Sequence, residues 1–433
     1  MAFFKLNSIK IPHNKHTAGL APVRMPHPAV VTLPMSMHIG APAVPVVKAG
    51  DTVKVGQKVA DAGGFVSSPI YSGVSGVVKK IDEVLLSNGS KCPAVIIESD
   101  GKGEVFEGIT PPEVTDMASF ISAVAQSGVV GLGGAGFPSH VKLNVKDVGQ
   151  IEHVVINCAE CEGYITSDTR TMLDKSDEIF EGIELLRRFF GDKRFVLGIE
   201  SNKKECIDKL TPMAKAHSVE IKVLPSVYPM GGEKVLVYYT TGRVIPEGKL
   251  PLDVGAVVIN CTTLTSINQY VKTGMPLVEK TVTVAGSAVN EEKNVIVPVG
   301  TSIKDLVEFC GGYKEEPQKI LYGGPMMGIS VCSDECPVLK NTNAILVFGK
   351  KETAAEQSGE CINCGRCVSH CPMRLMPTMI NSAFEKKDID RLKKLKVTVC
   401  MECGCCSYVC PAKRPLVQTN KLAKAMLKQA SAK

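Results

Sequence analysis

The hydrophobic positions change their period along the chain, and each change predicts a different kind of element. Between Val30 and Ile97 they form short apolar runs broken by Gly and Pro, a pattern typical of β-strands joined by tight turns. Between 115 and 127 they recur at helical spacing, and Thr115 is the expected cap of that helix. Strand-like runs then alternate with amphipathic helices, which predicts an α/β layer with a mostly parallel sheet. These strands are expected near 153–158, 195–200, 220–224 and 254–261.

The segments on either side of these β-rich and α/β regions predict further units. Residues 280–345 are again rich in strand-like runs around one helix at 301–312, which indicates a small β-grasp-like module. From Lys350 the sequence is charged and polar, then dense in cysteine, and it ends in a basic helical stretch. Residues 1–28 have no clear period and are expected to be an irregular extension or an edge segment that wraps another part of the molecule.

Two β-rich pieces resemble the flattened barrel of lipoyl and biotinyl carrier domains. They read GDTVKVGQKVA, from Gly50, and SGVSGVV, which ends at Val78. Carrier domains present a modifiable lysine at the hairpin between these pieces, but the stretch from Asp61 to Val78 contains no lysine. We therefore expect the carrier fold without a swinging prosthetic arm.

Composition narrows the classes of function. The 433 residues carry 50 Lys and Arg against 44 Asp and Glu, and a net charge of +6 is too small to indicate nucleic acid as the main partner. The absence of Trp and an aromatic content of 5% also argue against a surface for stacking bases. No run approaches 18 apolar residues, so no membrane-spanning helix is predicted. The first residues lack the apolar core of a secretion signal.

Cysteine is the unusual component, since nine of the 17 cysteines lie between Cys361 and Cys410. Eight of them form two copies of the spacing C-x2-C-x2-C-x3-C-P. In two-cluster ferredoxins three close thiolates bind one [4Fe–4S] cluster and the fourth cysteine binds the other. The predicted ligand sets are Cys361, Cys364, Cys367 and Cys410 for cluster 1, and Cys400, Cys403, Cys406 and Cys371 for cluster 2.

Zinc is the competing interpretation, because paired C-x2-C spacings also form zinc ribbons. Two complete copies that end in Cys-Pro favour iron–sulfur clusters. Cys405 lies outside the pattern and is expected to be a packed thiol near a cluster. Each cluster accepts one electron at a time, so a nicotinamide donor would require a flavin to divide its two electrons.

A glycine-rich stretch from Gly128 to Gly136 is a candidate site for such a flavin. It contains the spacing G-x-G-x-x-G, but a helix is predicted before it where a dinucleotide fingerprint requires a strand. The glycines allow backbone N–H groups to approach a phosphate or a planar ring, and Lys142 follows within reach of an anionic ligand. A flexible loop without a ligand remains the alternative.

Polar side chains follow three of the predicted strands. They lie in the segments Asn157–Tyr164, Tyr228–Lys234 and Asn260–Thr263. Ligands of open α/β sheets bind at the carboxyl ends of strands, so one shared crevice is favoured over separate solvated loops. Cys158 and Cys161 could form part of a metal site, although no second pair of ligands lies nearby in the sequence.

The motifs GxGGAGFP, NxAExEG, YPxGGEK and NxxTL, in this order, resemble the flavin- and NADH-binding subunit of respiratory complex I. Nearly the whole chain, including the ending ECGCCSYVCPAKRPLVQTNKLAKA, resembles the RnfC subunit of the Rnf complex. The resemblance implies noncovalent FMN and a nicotinamide dinucleotide bound over it. The implied FMN contacts are Gly131, Gly133, Gly134, Gly136, Lys142, Asn157, Glu160, Tyr228, Asn260 and Thr263. The implied dinucleotide contacts are Gly134, Phe137, Glu162 and Glu233.

Two positions depart from the complex I pattern. Ala159 stands where that pattern has Asp, and Gly232 stands where it has a second Glu. Phe137 would offer an aromatic face to adenine, and the carboxylates of Glu162 and Glu233 would accept hydrogen bonds from ribose hydroxyls. No residue is expected to act as a catalytic acid or base, because the cofactors carry the chemistry.

The expected function is that of an electron-entry or electron-exit subunit in a ferredoxin:NAD⁺ oxidoreductase coupled to Na⁺ or H⁺ translocation. The expected partners are NAD(H), other membrane and peripheral Rnf subunits that bear clusters or flavins, and, indirectly, ferredoxin. The expected location is the cytoplasmic face of the membrane, as a peripheral protein. The alternatives are a soluble NADH-dependent cobalamin reductase and a ferredoxin-like relay without enzyme activity. The basic stretches Lys386–Lys396 and Lys421–Lys433 could dock an acidic partner or anionic lipid, but a solvated face is the simpler interpretation.

The predicted fold class is a multidomain chain that combines α/β, β and ferredoxin-like units. Its units are a barrel-sandwich domain, a Rossmann-like α/β domain for FMN and NADH, an SLBB-like β-grasp and a helical ferredoxin domain with two [4Fe–4S] clusters. The predicted boundaries, after the extension 1–28, are 29–105, 112–268, 269–345 and 350–433.

Overall fold

The computed structural model describes residues 5–353 and 357–431. Short strands form the N-terminal barrel-sandwich domain, in two antiparallel sheets of order β2-β8-β7-β4 and β3-β5-β6. Both sheets contribute to one core, with Val31 and Ile97 from the first and Val59 and Ile70 from the second. The strands of these two sheets are β2 (Val30–Pro34), β3 (Val44–Pro45), β4 (Thr52–Val53), β5 (Lys58–Asp61), β6 (Ile70–Tyr71), β7 (Gly76–Leu85) and β8 (Lys91–Ser99). The preceding strand, β1 (Val23–Arg24), belongs to another sheet.

The α/β domain contains a parallel sheet, as the alternating pattern predicts, with most of its helices packed on one face and the helix Glu233–Thr241 on the other. Its elements are α1 (Met117–Gln126), α2 (Ser139–Leu143), β9 (His153–Cys158), α3 (Ser167–Asp174), α4 (Ser176–Phe190), β10 (Arg194–Glu200), α5 (Lys204–Ala216), β11 (Glu220–Leu224), α6 (Glu233–Thr241), β12 (Ala256–Asn260) and α7 (Cys261–Thr273). Two short 3₁₀ helices, Val148–Gln150 and Pro251–Val254, precede β9 and β12.

The predicted cap of the first helix is wrong by one residue. Asp116, and not Thr115, caps α1, and its carboxylate accepts a hydrogen bond from the Ser119 backbone N–H at 2.8 Å. The Ser119 hydroxyl in turn accepts one from the Asp116 N–H, which completes a reciprocal capping box.

The β-grasp-like module packs α8 (Ile303–Phe309) on a six-stranded sheet. Its strands are β13 (Glu279–Ala285), β14 (Lys293–Pro298), β15 (Lys319–Tyr322), β16 (Ile329–Ser330) and β17 (Ala344–Phe348). The sixth strand is β1, which pairs with the edge strand β14, so the N-terminal segment does wrap another domain.

The cysteine-rich domain is helical. Its helices are α9 (Lys350–Thr353), α10 (Arg366–Ser369), α11 (Pro377–Glu385), α12 (Ile389–Lys394), α13 (Cys405–Tyr408) and α14 (Leu416–Ser431), with a 3₁₀ turn at Val397–Val399. The basic stretch expected at Lys421–Lys433 lies on α14, and its last two residues fall outside the described residues. The fold class is as predicted, whereas the exact domain boundaries stay predictions. In the described ranges, no helix is long and apolar enough to cross a membrane.

A buried lysine joins three of the domains. Lys340, which precedes β17, is 1% exposed, and its ammonium donates to the Ser68 hydroxyl at 3.0 Å, to the Gly128 carbonyl at 2.8 Å and to the Pro69 carbonyl. Ser68 and Pro69 belong to the barrel-sandwich domain, and Gly128 begins the glycine-rich loop. Lys340 therefore fixes the base of that loop against its neighbours.

Replacement of Lys340 by Ala is expected to destabilise the protein, because three buried acceptors lose their donor. The expected loss is about 2–3 kcal/mol in the free energy of unfolding, read from urea titrations followed by circular dichroism. Lys314→Ala, which truncates an exposed lysine of the same module, is the matched control. Equal urea midpoints for the two variants would contradict the role of Lys340.

Candidate redox site

The parallel sheet contains one point where the strand order reverses. Its order is β11-β10-β9-β12, so the chain proceeds from β9 to one side and then returns to the other side for β12. A crevice opens at the carboxyl ends of the two strands that flank such a reversal, and ligands of this fold class bind there. Asn157 of β9 and Asn260 of β12 are register partners at this edge.

Both asparagine side chains organise the backbone around the crevice. The Asn157 amide donates to the Gly231 carbonyl at 3.0 Å and accepts from the Ala159 N–H at 3.1 Å. Asn260 caps α7 by accepting from the Thr263 N–H at 3.1 Å. The predicted segments that begin at Asn157 and Asn260 therefore lie side by side. The third segment, Tyr228–Lys234, contacts Asn157 through the Gly231 carbonyl.

The glycine-rich loop lies over this edge. It follows α1 and precedes the short α2, so it does not have the strand-first context of a dinucleotide fingerprint. The Leu132 N–H donates to the Thr263 hydroxyl at 2.9 Å, and a Cβ on Gly133 would lie 2.7 Å from the Asn260 amide nitrogen. Gly133 to Ala135 are exposed. An exposed turn without side-chain bulk beside two amides fits a planar ring or a phosphate.

The same loop is supported from outside the α/β domain. Asn341 of the β-grasp-like module donates to the Gly134 carbonyl at 2.9 Å, and the Ile39 N–H of the barrel-sandwich domain donates to the Gly136 carbonyl at 3.1 Å. The carbonyl of the half-buried Phe137 accepts from the Gly131 N–H at 2.9 Å, which closes the turn. The loop is thus held in one shape by three domains.

Lys142 and Glu233 form an ion pair at 2.6 Å. Lys142 lies on α2 and Glu233 is the first residue of α6, and their side chains are 35% and 39% exposed. The partial exposure leaves both side chains accessible to a ligand. The structure therefore brings a predicted flavin contact and a predicted dinucleotide contact together.

Glu160 is engaged inside the protein. One carboxylate oxygen accepts from the Asp168 N–H at 2.8 Å, and the other accepts from the Thr169 hydroxyl at 2.6 Å and from the Lys203 ammonium at 3.0 Å. Burial alone would raise the pKa of Glu160, but Lys203 and Lys15 outweigh it and lower that pKa. The carboxylate therefore supports the crevice from the protein interior. Its contact with FMN stays a prediction.

Glu162 is also occupied. Its two carboxylate oxygens accept hydrogen bonds from the backbone N–H groups of Met326 at 3.0 Å and Met327 at 2.8 Å, in the β-grasp-like module. Burial raises the pKa of Glu162, and these two hydrogen bonds oppose that shift. A contact with a ribose hydroxyl would have to share these oxygens, and it too stays a prediction.

Tyr228 lies between the crevice and the cysteine-rich domain. It is 1% exposed, and its hydroxyl donates to the Cys403 carbonyl at 2.7 Å. Four residues further on, Gly232 packs so closely against Met401 that a Cβ would overlap the methionine methyl group. The predicted flavin contact of Tyr228 stays untested, but its hydroxyl is directed at the cluster domain.

The eight motif cysteines line two separate cavities. One has about 310 Å³ of space and is lined by Cys371, Cys400, Cys403 and Cys406, with Cys405 at its wall. The other has about 320 Å³ and is lined by Cys361, Cys364, Cys367 and Cys410. We call them the inner and the outer cavity, because the inner one adjoins Tyr228 and Met401. The fourth cysteine of each motif lies in the cavity of the other copy, the arrangement that the spacing predicts.

The backbone repeats around the two cavities. Asn363 and Glu402, one residue before the second cysteine of each copy, have φ angles of 52° and 60°. Gly365 and Gly404 follow at 72° and 78°, a left-handed region that glycine adopts without strain. The Glu402 N–H points to the Cys400 sulfur at 3.4 Å. Such N–H groups around sulfur stabilise cluster-bound thiolates.

The arrangement of thiols also distinguishes the two candidate metals. Among the residues in 5–353 and 357–431, no three His, Cys, Asp or Glu side chains gather tightly enough to hold a single metal ion. The four thiols of each cavity surround a volume instead of converging on one point. This fits a [4Fe–4S] cube, in which one cysteine binds each of the four iron atoms, better than a tetrahedral zinc ion.

Four family models match the chain in the order of the domains. They are described as the RnfC barrel sandwich hybrid domain, residues 5–102, the Nuo51 FMN-binding domain, 124–269, the SLBB domain, 281–330, and the 4Fe-4S dicluster domain, 360–413. An FMN-binding domain and a dicluster domain in one chain confirm the predicted FMN and two [4Fe–4S] clusters as cofactors.

Several curated relatives match most of the chain. The C component of a proton-translocating ferredoxin:NAD(+) oxidoreductase complex from Clostridium ljungdahlii is 40% identical over 87% of this chain and 82% of its own length. The C component of the Na(+)-translocating complex from Acetobacterium woodii is 37% identical over 95% of this chain and 94% of its own. The chain belongs to the RnfC family. The C component of the ion-translocating oxidoreductase complex from Rhodobacter capsulatus is 39% identical over 94% of this RnfC-family chain and 79% of its own.

A solved structure shares the fold of this RnfC-family chain. The NAD⁺-reducing [NiFe]-hydrogenase in its H₂-reduced state aligns with a TM-score of 0.51 and 17% identity, over 72% of this chain and 63% of the hydrogenase chain. At this identity the likeness shows the fold alone. None of the relatives named here supports the alternative prediction of a cobalamin reductase.

Sequence reasoning did not identify the buried charged groups that support the crevice from the protein interior. Asp168 accepts from the Asn260 amide at 2.8 Å and from the Thr262 hydroxyl at 2.7 Å, and burial raises its pKa to about 6. Lys203 and Lys15 neutralise Glu160 from segments far away in sequence. A single lysine carries no local signal of burial, so only the folded chain reveals these contacts.

The buried charges behind the crevice give it a defined shape. Glu160 is paired with Lys203 and Lys15, while the neighbouring Glu200 has a pKa raised to about 7 by burial. Taking such groups out of water is costly, and a buried pair is poor evidence for added stability. The network instead constrains local geometry, because both carboxylate oxygens of Glu160 have specific hydrogen-bond donors. It fixes the end of β9, where the crevice begins.

Cys364→Ser is expected to remove one cluster from the RnfC-family chain, because Cys364 lines the outer cavity. Iron and acid-labile sulfide should fall to about half, while flavin absorbance is retained. Cys332→Ser, which changes an exposed cysteine outside both cavities, is the matched control. Loss of zinc instead of iron would refute the cluster assignment.

Proposed function

We propose that this RnfC-family chain exchanges electrons between a nicotinamide dinucleotide at the crevice and its two cysteine cavities, in an ion-translocating ferredoxin:NAD⁺ oxidoreductase complex. One observation carries the proposal. The turn from Tyr228 to Gly232, which borders the crevice, contacts the inner cavity directly through Cys403 and Met401. A site for a two-electron carrier and a site for one-electron carriers therefore share a wall.

The flavin would be held by the glycine-rich loop and the asparagines of the sheet edge. Gly131, Gly133, Gly134 and Gly136 provide close backbone approach, and Asn157, Asn260 and Thr263 fix the floor beneath them. Lys142 would supply the positive charge for the phosphate. Glu160 and Tyr228 contribute by fixing the walls, because their polar atoms already have partners.

The dinucleotide would lie over the exposed face of the loop. Gly134 leaves room there, Phe137 offers a half-buried ring for adenine, and Glu233 offers an acceptor for ribose hydroxyls. Glu162 would act through the loop that it holds by the Met326 and Met327 N–H groups. When bound, FMN would supply the exchange between a two-electron hydride and single electrons, which the clusters carry one at a time.

Electrons would pass through the clusters of the two cavities one after the other. The inner cavity, lined by Cys371, Cys400, Cys403 and Cys406, borders the crevice. The outer cavity includes the exposed Cys364, so it would communicate with other subunits. The partners would be membrane and peripheral subunits of the complex that bear clusters or flavins. We propose a peripheral position at the cytoplasmic face of the membrane, supported by the names of the relatives as ion-translocating complexes.

The full chain, purified without oxygen and with iron and riboflavin supplied, tests the proposal. It should contain FMN and two clusters per chain, and NADH should bleach both the flavin and the cluster absorbance. NADH should also drive reduction of ferricyanide. A chain with clusters but no flavin or NADH activity would instead support a relay without enzyme activity.

Glu233→Ala is expected to raise the KM for NADH in the ferricyanide assay by about tenfold, because a ribose acceptor is lost. FMN content should not change, since the loop and the asparagines remain. Glu316→Ala, which truncates an exposed glutamate in the loop before β15, serves as the control. An unchanged KM would remove Glu233 from the dinucleotide site.

A further inference from the structure

The N-terminal segment from Leu6 to Thr17, here named the N-terminal strap, crosses from the cysteine-rich domain to the crevice. Its Asn7 amide donates to the Cys371 carbonyl at 3.2 Å, beside the inner cavity. Ile9 then pairs with Tyr228 through two backbone hydrogen bonds of 2.9 Å. The strap continues to the turn that follows β9, so it touches both parts of the proposed electron path.

Lys15 is the point where the strap enters the protein interior. Its side chain is 9% exposed, and its ammonium donates to the carbonyls of Glu160 at 2.9 Å, Glu162 at 2.9 Å and Ile165. It also lies 3.6 Å from the Glu160 carboxylate. One ammonium group thus gathers three carbonyls of the six-residue turn Glu160–Ile165.

That turn has a conformation that needs outside support. Tyr164 has a φ angle of 68°, in the left-handed region that a bulky side chain rarely adopts. Its N–H donates to the His13 carbonyl of the strap at 2.8 Å, and Gly163 packs against the Pro12 carbonyl. A strained backbone of this kind persists when its surroundings impose it, and here the strap imposes it.

The shape of the turn matters for the crevice. The turn carries Glu162, which fixes the loop at Met326, and Glu160, whose carboxylate accepts from the N–H of Asp168. Asp168 in turn accepts from the Asn260 amide on the crevice floor. Lys15 binds the carbonyl of Glu162, an implied dinucleotide contact, directly, whereas it reaches the flavin floor only through Glu160, Asp168 and Asn260 in series. The glycine-rich loop is held separately by Thr263, Asn341 and Ile39, so the dinucleotide site should depend on Lys15 more than the flavin site does.

We propose that Lys15 is a positioning residue that holds the turn Glu160–Ile165 in the shape required to bind the nicotinamide dinucleotide. This inference rests on the proposed function. Lys15 touches neither dinucleotide nor flavin and acts through the three carbonyls. Its removal should therefore weaken dinucleotide binding and leave the bound flavin in place.

The test compares Lys15→Met with Lys10→Met in the full-length chain. Methionine keeps the length of the side chain but donates no hydrogen bond, and Lys10 is an exposed residue of the same strap. Lys15→Met should raise the KM for NADH in ferricyanide reduction by about tenfold, with kcat within about twofold and FMN content unchanged. Lys10→Met should match the wild type in all three.

A structural role alone would lower the melting temperature and the FMN content without separating KM from kcat. If Lys15→Met does not fold, Lys15→Gln retains two N–H donors and should raise KM by a smaller factor, about threefold. A wild-type KM in whichever variant keeps its FMN would overturn the inference. If the wild-type chain itself lacks FMN and NADH activity, the proposed function fails instead.

Discussion

The packing of the Tyr228–Gly232 turn against the segment Met401–Gly404 is the constraint on which the rest of this structure depends. Tunnelling between redox centres needs a short, fixed separation, which a flexible linker between domains could not provide. Here the contact combines one cluster of packed side chains, with Tyr228, Met401 and the buried thiols Cys403 and Cys405, with the hydrogen bond from the Tyr228 hydroxyl to the Cys403 carbonyl. The α/β domain, with its parallel sheet, and the helical cysteine-rich domain are therefore joined at the place where electrons must cross between them.

The same contact lies at a position where the chain departs from the complex I pattern. That pattern has a glutamate where this chain has Gly232, and the Met401 methyl group occupies the space in which a side chain at 232 would begin. The position of the missing acid thus coincides with the place where the cluster domain packs on the turn.

The parts that could be predicted from sequence are those with a local signal. The strand at 153–158 is built on the apolar run Val154–Ile156, and the cysteine spacing predicts how the thiols divide between two cavities. Thr115 and Asp116 are both good helix caps, and only the geometry of the Ser119 N–H decides between them. The partners of Glu160 could not be predicted, since Lys203 and Lys15 lie 43 and 145 residues away along the chain.

The two cysteine motifs show where sequence information ends. Their spacing and their backbone turns are equivalent, yet three ligands of the inner cavity, Cys371, Cys403 and Cys406, are buried. The outer cavity has one buried ligand, Cys367, includes the exposed Cys364 and borders Ile362, which is 67% exposed. Solvent exposure and hydrogen bonds to sulfur set the potential of a cluster. Identical ligands in these two environments would therefore differ in potential. The packing of the domain, and not the ligand motif, gives the pair its inner and outer members.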